Sequence, residues 1–244
     1  MMQLSREERL LKIDGMTNIR DLGGYETKEG FYTKSHKFVR STNPSNISDE
    51  SKAKLYDYGI RTVVDLRSEF EMENQPHGLN NYDDIEYYHI NILEQTDMNV
   101  VPDNIKEYSD LSGFYIFAIE ANKSRIKEVF EIFASHLEGC IMFNCSAGKD
   151  RTGIIAALLL DLAGCHEYDI VKDYSESYEN NLPIISKLEQ MIGEEQQKYL
   201  GSSPDIMMKF LDYITETYGS AKAYLLSIGL DEEKIEDIKD NFII

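Results

Sequence analysis

The stretch from Cys140 to Leu162 limits what this chain can fold into more than any other part of it. Cys140-Ile141-Met142-Phe143 is a short apolar run of the kind a buried strand makes, and Ile154 to Leu162 is a longer one of the kind a buried helix makes. Between them stand a cysteine, five residues, an arginine and a hydroxyl: Cys145, Ser146, Ala147, Gly148, Lys149, Asp150, Arg151 and Thr152. A strand that turns this abruptly into a helix leaves backbone N–H groups of the loop and of the helix N-terminus converging on one point, which suits a phosphate dianion. The same field favours a thiolate at Cys145. The planar fork of Arg151 matches two oxygens of such an anion, and the Thr152 hydroxyl can hydrogen-bond the sulfur as it leaves phosphorus. Cys145 and Arg151 are therefore the expected catalytic pair, and Ser146, Ala147, Gly148, Lys149 and Thr152 the expected phosphate-binding residues.

Each of these residues has a plainer reading. A lone cysteine is more often a small buried hydrophobe, and an arginine in a first helical turn is often just a solvated charge. A cation there opposes the helix dipole, however, and a bound dianion would remove that conflict. Gly148 suits a loop that needs unusual backbone angles. Lysines such as Lys149 are common on loops, and Asp150 at a helix start is a favourable N-terminal carboxylate whatever else it does.

The chain has 244 residues, 42% of them hydrophobic, which suits one domain: a core over about 15–180 and a helical C-terminal extension over about 181–244. Its formal charge of −19 speaks against nucleic acid and anionic membrane as partners. Any basic pocket must then be local, and Lys149 with Arg151 is the place for it. Three cysteines, at 140, 145 and 165, are too few and too scattered for a disulfide framework or a metal site. No His or carboxylate pattern of metal-ligand spacing stands out, so neither metal nor other cofactor is expected, and resistance to chelators is. The first residues lack an apolar signal core, and no apolar run approaches membrane-spanning length. A reduced, cytoplasmic protein is the expectation.

Residues 4–13 suggest a short amphipathic helix. Phe31-Tyr32-Thr33 and Lys37 to Arg40 read as two short strands in a hairpin, Thr62 to Leu66 as a buried strand and Glu86 to Ile90 as the next. Ser48 is an N-cap candidate for a helix that Gly59 ends. Residues 93–106 read as a polar loop. Apolar spacing predicts helices over 109–121, 126–137, 151–163, 169–177, 182–192, from Ser203-Pro204 to about Tyr218, and over 220–228 and 231–241. The pattern is α/β: a short, mostly parallel central sheet flanked by helices, with a helical C-terminal part.

Cys145 to Thr152 resembles the P-loop of the cysteine-dependent protein tyrosine phosphatase superfamily, and Ala147 to Gly153 resembles in particular its atypical bacterial tyrosine/phosphoinositide phosphatases. Three further segments match that subgroup: Asn18 to Tyr25, Val63 to Ser68 followed by Glu69 and Glu71, and Asp173 to Ser177. The resemblance implies a phosphatase that works through a phosphocysteine on Cys145, with phosphotyrosine protein as the first substrate, phosphoinositide the second and inositol polyphosphate the third. It associates a lysine at position 149 with phosphoinositides.

The general acid stays open among three carboxylates. Asp150 lies inside the loop and Asp65 ends a strand, whereas Asp103, in Val101-Pro102-Asp103, is similar to the Pro-Asp pair of many members. The order of preference is Asp150, Asp65, Asp103. Arg20, Asp21, Asp65 and Arg67 belong to the matching segments and fit an ion-pair network that pins loops; Arg20 or Arg67 lining the pocket is the alternative. Cys140 and Cys165 read as inertly buried, with a protective disulfide as the alternative.

One departure is Asn144, where the family usually has a histidine. It implies a working enzyme with a less acidic nucleophile, and it keeps open a catalytically silent module that only binds phosphotyrosine. A rhodanese-like sulfur-transfer enzyme is a third reading, disfavoured by the longer Cys-x5-Arg-Thr layout.

Overall fold

The computed structural model describes residues 4–82, 84–95, 110–191, 193, 197 and 199–244. Among them five strands form one sheet in the order β1-β2-β5-β3-β4: β1 (Arg20–Asp21), β2 (Phe38–Ser41), β3 (Ile60–Asp65), β4 (Glu86–His89) and β5 (Cys140–Asn144). All neighbours run parallel except β1 and β2. Both faces are covered, which is why β5 in the centre reads as unbroken apolar sequence rather than alternation.

The two-residue period still sorts its side chains. Phe38, Val64, Ile141 and Phe143 enter a large core shared with most of the helices. Val39, Val63, Cys140 and Met142 enter a smaller one closed by Ile13, Ile19, Ile47, Leu55, Leu79 and Ile85.

The helices are α1 (Arg6–Arg9), α2 (Asp49–Asp57), α3 (Glu69–Asn74), α4 (Leu111–Ala121), α5 (Lys123–Ser135), α6 (Asp150–Leu162), α7 (Glu167–Asn180), α8 (Leu182–Leu188), α9 (Pro204–Tyr218), α10 (Ala221–Ser227) and α11 (Glu232–Phe242). Helix α6 leaves the central strand and is buried almost along its length, as its apolar run predicts. Helices α9 to α11 contribute Phe210, Ile214, Tyr224, Ile235, Ile238 and Phe242 to the same core as the sheet. The chain end is tied back by paired backbone hydrogen bonds between Tyr32 and Ile244.

Three expectations are corrected. The first helix stops at Arg9 instead of 13, because Leu10 and Leu11 leave it to pair with Arg20 and Ile19. Phe31 to Thr33 does not form a hairpin with β2. Tyr32 bridges Glu26 and Thr33 bridges Ile243, while the antiparallel partner of β2 is β1. Buried Asp21 turns the chain between them by accepting from the Gly23 and His36 N–H groups at 2.6 and 2.7 Å. Helix α8 ends at Leu188, short of 192. Helix α3 lay unread in the sequence, although Ser68 and Glu71 spell its capping box. Most of the predicted 93–106 loop, and Asp103 with it, lies outside the described residues.

Candidate active site

Strand β5 ends at Asn144, and Cys145 follows at the centre of the sheet, almost fully buried. The next residues turn back tightly against β2. Gly148 has φ +62°, and a Cβ there would stand 2.4 Å from the Ser41 carbonyl, so the turn closes only around glycine.

The outside of the loop is held by its carbonyls. Asn18 Nδ2 donates to both Ala147 O and Gly148 O at 3.0 Å, Asn181 Nδ2 to Ala147 O at 2.9 Å, and Arg40 Nη2 to Gly148 O at 2.8 Å. In a trans peptide the N–H points opposite to the C=O. Pulling these carbonyls outward therefore turns the N–H groups of Gly148 and Lys149 inward, where an anion would bind.

Behind that brace lies a buried charge network. The Asp173 carboxylate from α7 accepts Arg20 Nε at 2.7 Å, the Tyr25 hydroxyl at 3.0 Å and an Nη of Arg40. Arg20 also donates to the Asn18 side chain. Burial works to raise the Asp173 carboxyl, but Arg20 and Arg40 outweigh it and hold the group well below the usual carboxylate range. Of the two expectations for Arg20, the network is the one observed: its guanidinium is fully buried and meets the loop indirectly, through Asn18 and through Asp173 and Arg40.

Arg151, in the first turn of α6, forms a two-pronged pair with Glu71, Nη1 to Oε2 at 2.5 Å and Nη2 to Oε1 at 2.7 Å. Glu71 also accepts from the Ser146 hydroxyl and from the N–H and hydroxyl of Ser68. Burial pulls its carboxyl up, yet Arg151 and Ser146 hold it well below its ordinary range. Glu71 thus fixes the plane of the guanidinium before any anion arrives, which is electrostatic preorganisation.

Asp150 starts α6 with its side chain 30% exposed. The Tyr115 hydroxyl donates to its Oδ1 at 2.5 Å, and Tyr174 lies 2.8 Å behind Tyr115. Asp65 is placed differently. It is fully buried, and Arg67, the Tyr87 hydroxyl and the Asn144 amide engage its carboxylate. Burial raises its carboxyl but Arg67 brings it below the ordinary value, so at neutral pH Asp65 is an ion with no proton to give.

Lys149 is also buried, and its Nζ donates to the Tyr199 and Gly201 carbonyls at 2.6 and 2.9 Å and pairs with Asp150 Oδ1 at 3.4 Å. The Thr152 hydroxyl is buried with no hydrogen-bond partner among the described residues. All three cysteines are free and buried, and neither Cys140 nor Cys165 is in a disulfide. Asn144 is hydrogen-bonded on both sides of its amide, to His77 and to Asp65.

Beside the loop, a groove of about 690 Å³ runs from Ser146 and Ala147 past Met16, Thr17 and Asn43 to Pro183, Ile184, Lys187 and Leu188.

The sequence reading missed Glu71, Tyr115, Asn18, Arg40 and His77 as partners of the loop. For Glu71 the capping box was a usable signal of a local helix, though not of its reach to Arg151. Asn18 opens a segment that matched the phosphatase subgroup, which marked it without revealing its contact; for the others no local signal exists, and each of these residues meets the loop across 35 or more residues of chain.

No helix among the described residues is long and apolar enough to cross a membrane. A family model described as "Tyrosine phosphatase family" matches residues 11–244. A tyrosine-protein phosphatase of Nostoc commune is 29% identical over 216 residues, which cover 83% of this chain and 72% of that protein. The triple specificity protein phosphatase PtpB of Mycobacterium tuberculosis is 27% identical over 119 residues, 41% of this chain and 42% of its own. The crystal structure of P. aeruginosa TpbA superposes at 15% identity with a TM-score of 0.42, covering 81% of this chain and 89% of that one.

Proposed function

The chain belongs to the tyrosine phosphatase family, and from that premise we propose that it hydrolyses phosphotyrosine in proteins through a phosphocysteine intermediate on Cys145. The observation that carries this reading is the loop after β5. A cysteine, inward-turned N–H groups and a carboxylate-oriented arginine share one braced turn.

In the first step the Cys145 thiolate attacks phosphorus, an S–P bond forms and the P–O bond to tyrosine breaks. The N–H groups of 148 and 149 and the Arg151 guanidinium take up charge on the equatorial oxygens. Asp150 gives its proton to the departing phenolate, and Tyr115 orients its carboxyl for this. In the second step water attacks phosphorus, the Asp150 carboxylate takes its proton, and the thiolate leaves with inorganic phosphate as product. The unpartnered Thr152 hydroxyl is the group to stabilise that leaving sulfur. No cofactor enters this sequence of steps.

The groove beside the loop favours a phosphotyrosine side chain over a multiply phosphorylated inositol. Its lining is largely apolar and small polar, with Lys187 as its cation. Phosphoinositide turnover is the second substrate class, and in it Lys149 would have to leave the Tyr199 and Gly201 carbonyls to meet a further phosphate.

The test is phosphate release from a phosphotyrosine peptide across pH, wild type beside Cys145→Ser, with chelator present. Turnover that vanishes in the variant supports the reading; turnover that persists, or a wild type that only binds the peptide, overturns it. Asp150→Asn should remove the basic limb of the profile. An unchanged basic limb with normal turnover would exclude Asp150 as the donor.

A further inference from the structure

His77 has no part in the mechanism above, yet it is buried, titratable and one hydrogen bond from the residue that precedes the nucleophile. It lies between α3 and β4, 5% exposed. Its backbone is pinned: the Gly78 N–H donates to the Pro44 carbonyl at 3.2 Å, and a Cβ on Gly78 would stand 2.3 Å from that oxygen. Its ring packs against Tyr87, with centroids 5.1 Å apart.

The hydrogen bonds fix its tautomer. Nδ1 accepts the Leu79 N–H at 3.1 Å, so Nδ1 carries no proton and the neutral ring must carry it on Nε2. Nε2 lies 3.1 Å from Asn144 Oδ1. The imidazole is neutral at physiological pH because burial, only partly offset by nearby Asp65, pushes it down to about 4. The titratable and charged groups around it are Asp65, Arg67 and Tyr87.

The same bond fixes the Asn144 amide. With Oδ1 committed to His77, Nδ2 faces Asp65 Oδ1 at 3.4 Å, and Arg67 holds that carboxylate in place. The backbone of Asn144 is held as well, by register pairing with Ser41 and Asp65 and by the Leu66 N–H on its carbonyl at 2.8 Å. A neutral, rigid donor thus ends a chain from His77 through Asn144 to Asp65, and the next covalent link after Asn144 is Cys145.

We propose that His77 is a positioning residue for the nucleophile: by donating from Nε2 to Asn144 Oδ1 it locks the residue before Cys145 and sets the start of the anion-binding loop. It rests on the phosphatase reading only for what the loop does, not for its geometry. A buried, satisfied histidine is often merely core, so the tests must separate positioning from stability.

Inorganic phosphate binding by calorimetry and kcat/KM on p-nitrophenyl phosphate are measured for wild type, His77→Phe, His77→Gln, Asn144→Ala and the His77→Phe/Asn144→Ala pair, with melting temperatures alongside. His77→Phe keeps the ring and removes the donor. A misplacement of the loop of the order of 1 Å predicts a loss of about tenfold or more in both readouts. His77→Gln, which restores an N–H donor, should recover most of it. In the Asn144→Ala background His77→Phe should cost little further, because the partner is already gone.

Equal losses in both backgrounds, no recovery by glutamine, or unchanged phosphate affinity in His77→Phe would overturn the proposal. Should His77→Phe not fold, His77→Gln and Asn144→Ala still decide it: near-wild-type behaviour of the first with loss in the second is the expected pattern, and the reverse refutes it. If wild type binds phosphate but does not turn over p-nitrophenyl phosphate, the phosphatase reading fails while the calorimetry still tests His77. If wild type binds no phosphate, both fall.

Discussion

Replacing Asp173 with asparagine is expected to destabilise the protein by several kcal/mol. The carboxylate is 1% exposed and sits between two guanidiniums, Arg20 on both oxygens at 2.7 and 3.3 Å and Arg40 on Oδ2, with the Tyr25 hydroxyl as a further donor. Asparagine keeps the shape but removes the charge and turns an N–H2 toward donors that need acceptors. Breaking a buried ion pair by removing one partner costs about 3–5 kcal/mol, because the other charge stays buried and uncompensated. Two arginines depend on Asp173, so the upper part of that range is expected. In a chain of this size it corresponds to a fall in Tm of roughly 10 °C or more.

The pH dependence carries a sign. The Asp173 carboxyl is held below its unfolded value, near 3.9, so its contribution is fully present above that value and is lost as pH falls toward the folded one. Urea unfolding of wild type and Asp173→Asn between pH 3 and 8 should show a constant gap from about pH 5 upward and a shrinking gap below about pH 4. A gap under about 1 kcal/mol at pH 7, the size of a surface ion pair, would refute the reasoning, as would a gap that changes between pH 6 and 8. The variant should also lose activity beyond its loss of stability, because Arg40 would no longer be held against Gly148 O.

Tyr115→Phe removes the hydroxyl that orients Asp150 and should lower kcat on phosphotyrosine about tenfold, the size of one lost charge-assisted hydrogen bond. The loss should be smaller on p-nitrophenyl phosphate, whose leaving group needs little protonation; equal losses on both substrates would argue against Asp150 as the acid. Iodoacetamide at neutral pH should give one adduct, on Cys145, and inorganic phosphate should protect it. Burial pushes the Cys165 thiol up to about 12 and Cys140 well above its ordinary value, so mass-spectrometric adducts on either in the folded protein would contradict the packing.

How much was legible beforehand follows from how local each feature is. The loop could be read because its chemistry is contiguous: an apolar strand, Cys145, Gly148, Arg151 and an apolar helix lie within one short stretch. Helices α2 and α9 were legible from apolar spacing and from Ser48 and Pro204 at their starts, and α5 from apolar spacing alone. The hairpin assigned to Phe31 and Val39 failed because short strands carry no label for their partner, and here each found a different one. The rank of Asp65 as a candidate acid fell for a similar reason. Asp65 and Arg67 were already legible as parts of an ion-pair network; that the Arg67 fork closes directly on Asp65 was not.

The sequence by itself therefore determined the α/β class and the strand, tight loop and helix that carry the proposed nucleophile Cys145 and Arg151, since propensity, periodicity and the Cys-x5-Arg spacing act between near neighbours. Only the tertiary structure decided the strand order and the partners of the loop. Glu71 meets Arg151 across 80 residues, His77 meets Asn144 across 67, and Arg40 meets Asp173 across 133. Such pairs are selected by burial, because a charge or amide taken out of water must find a partner wherever the fold brings one within reach.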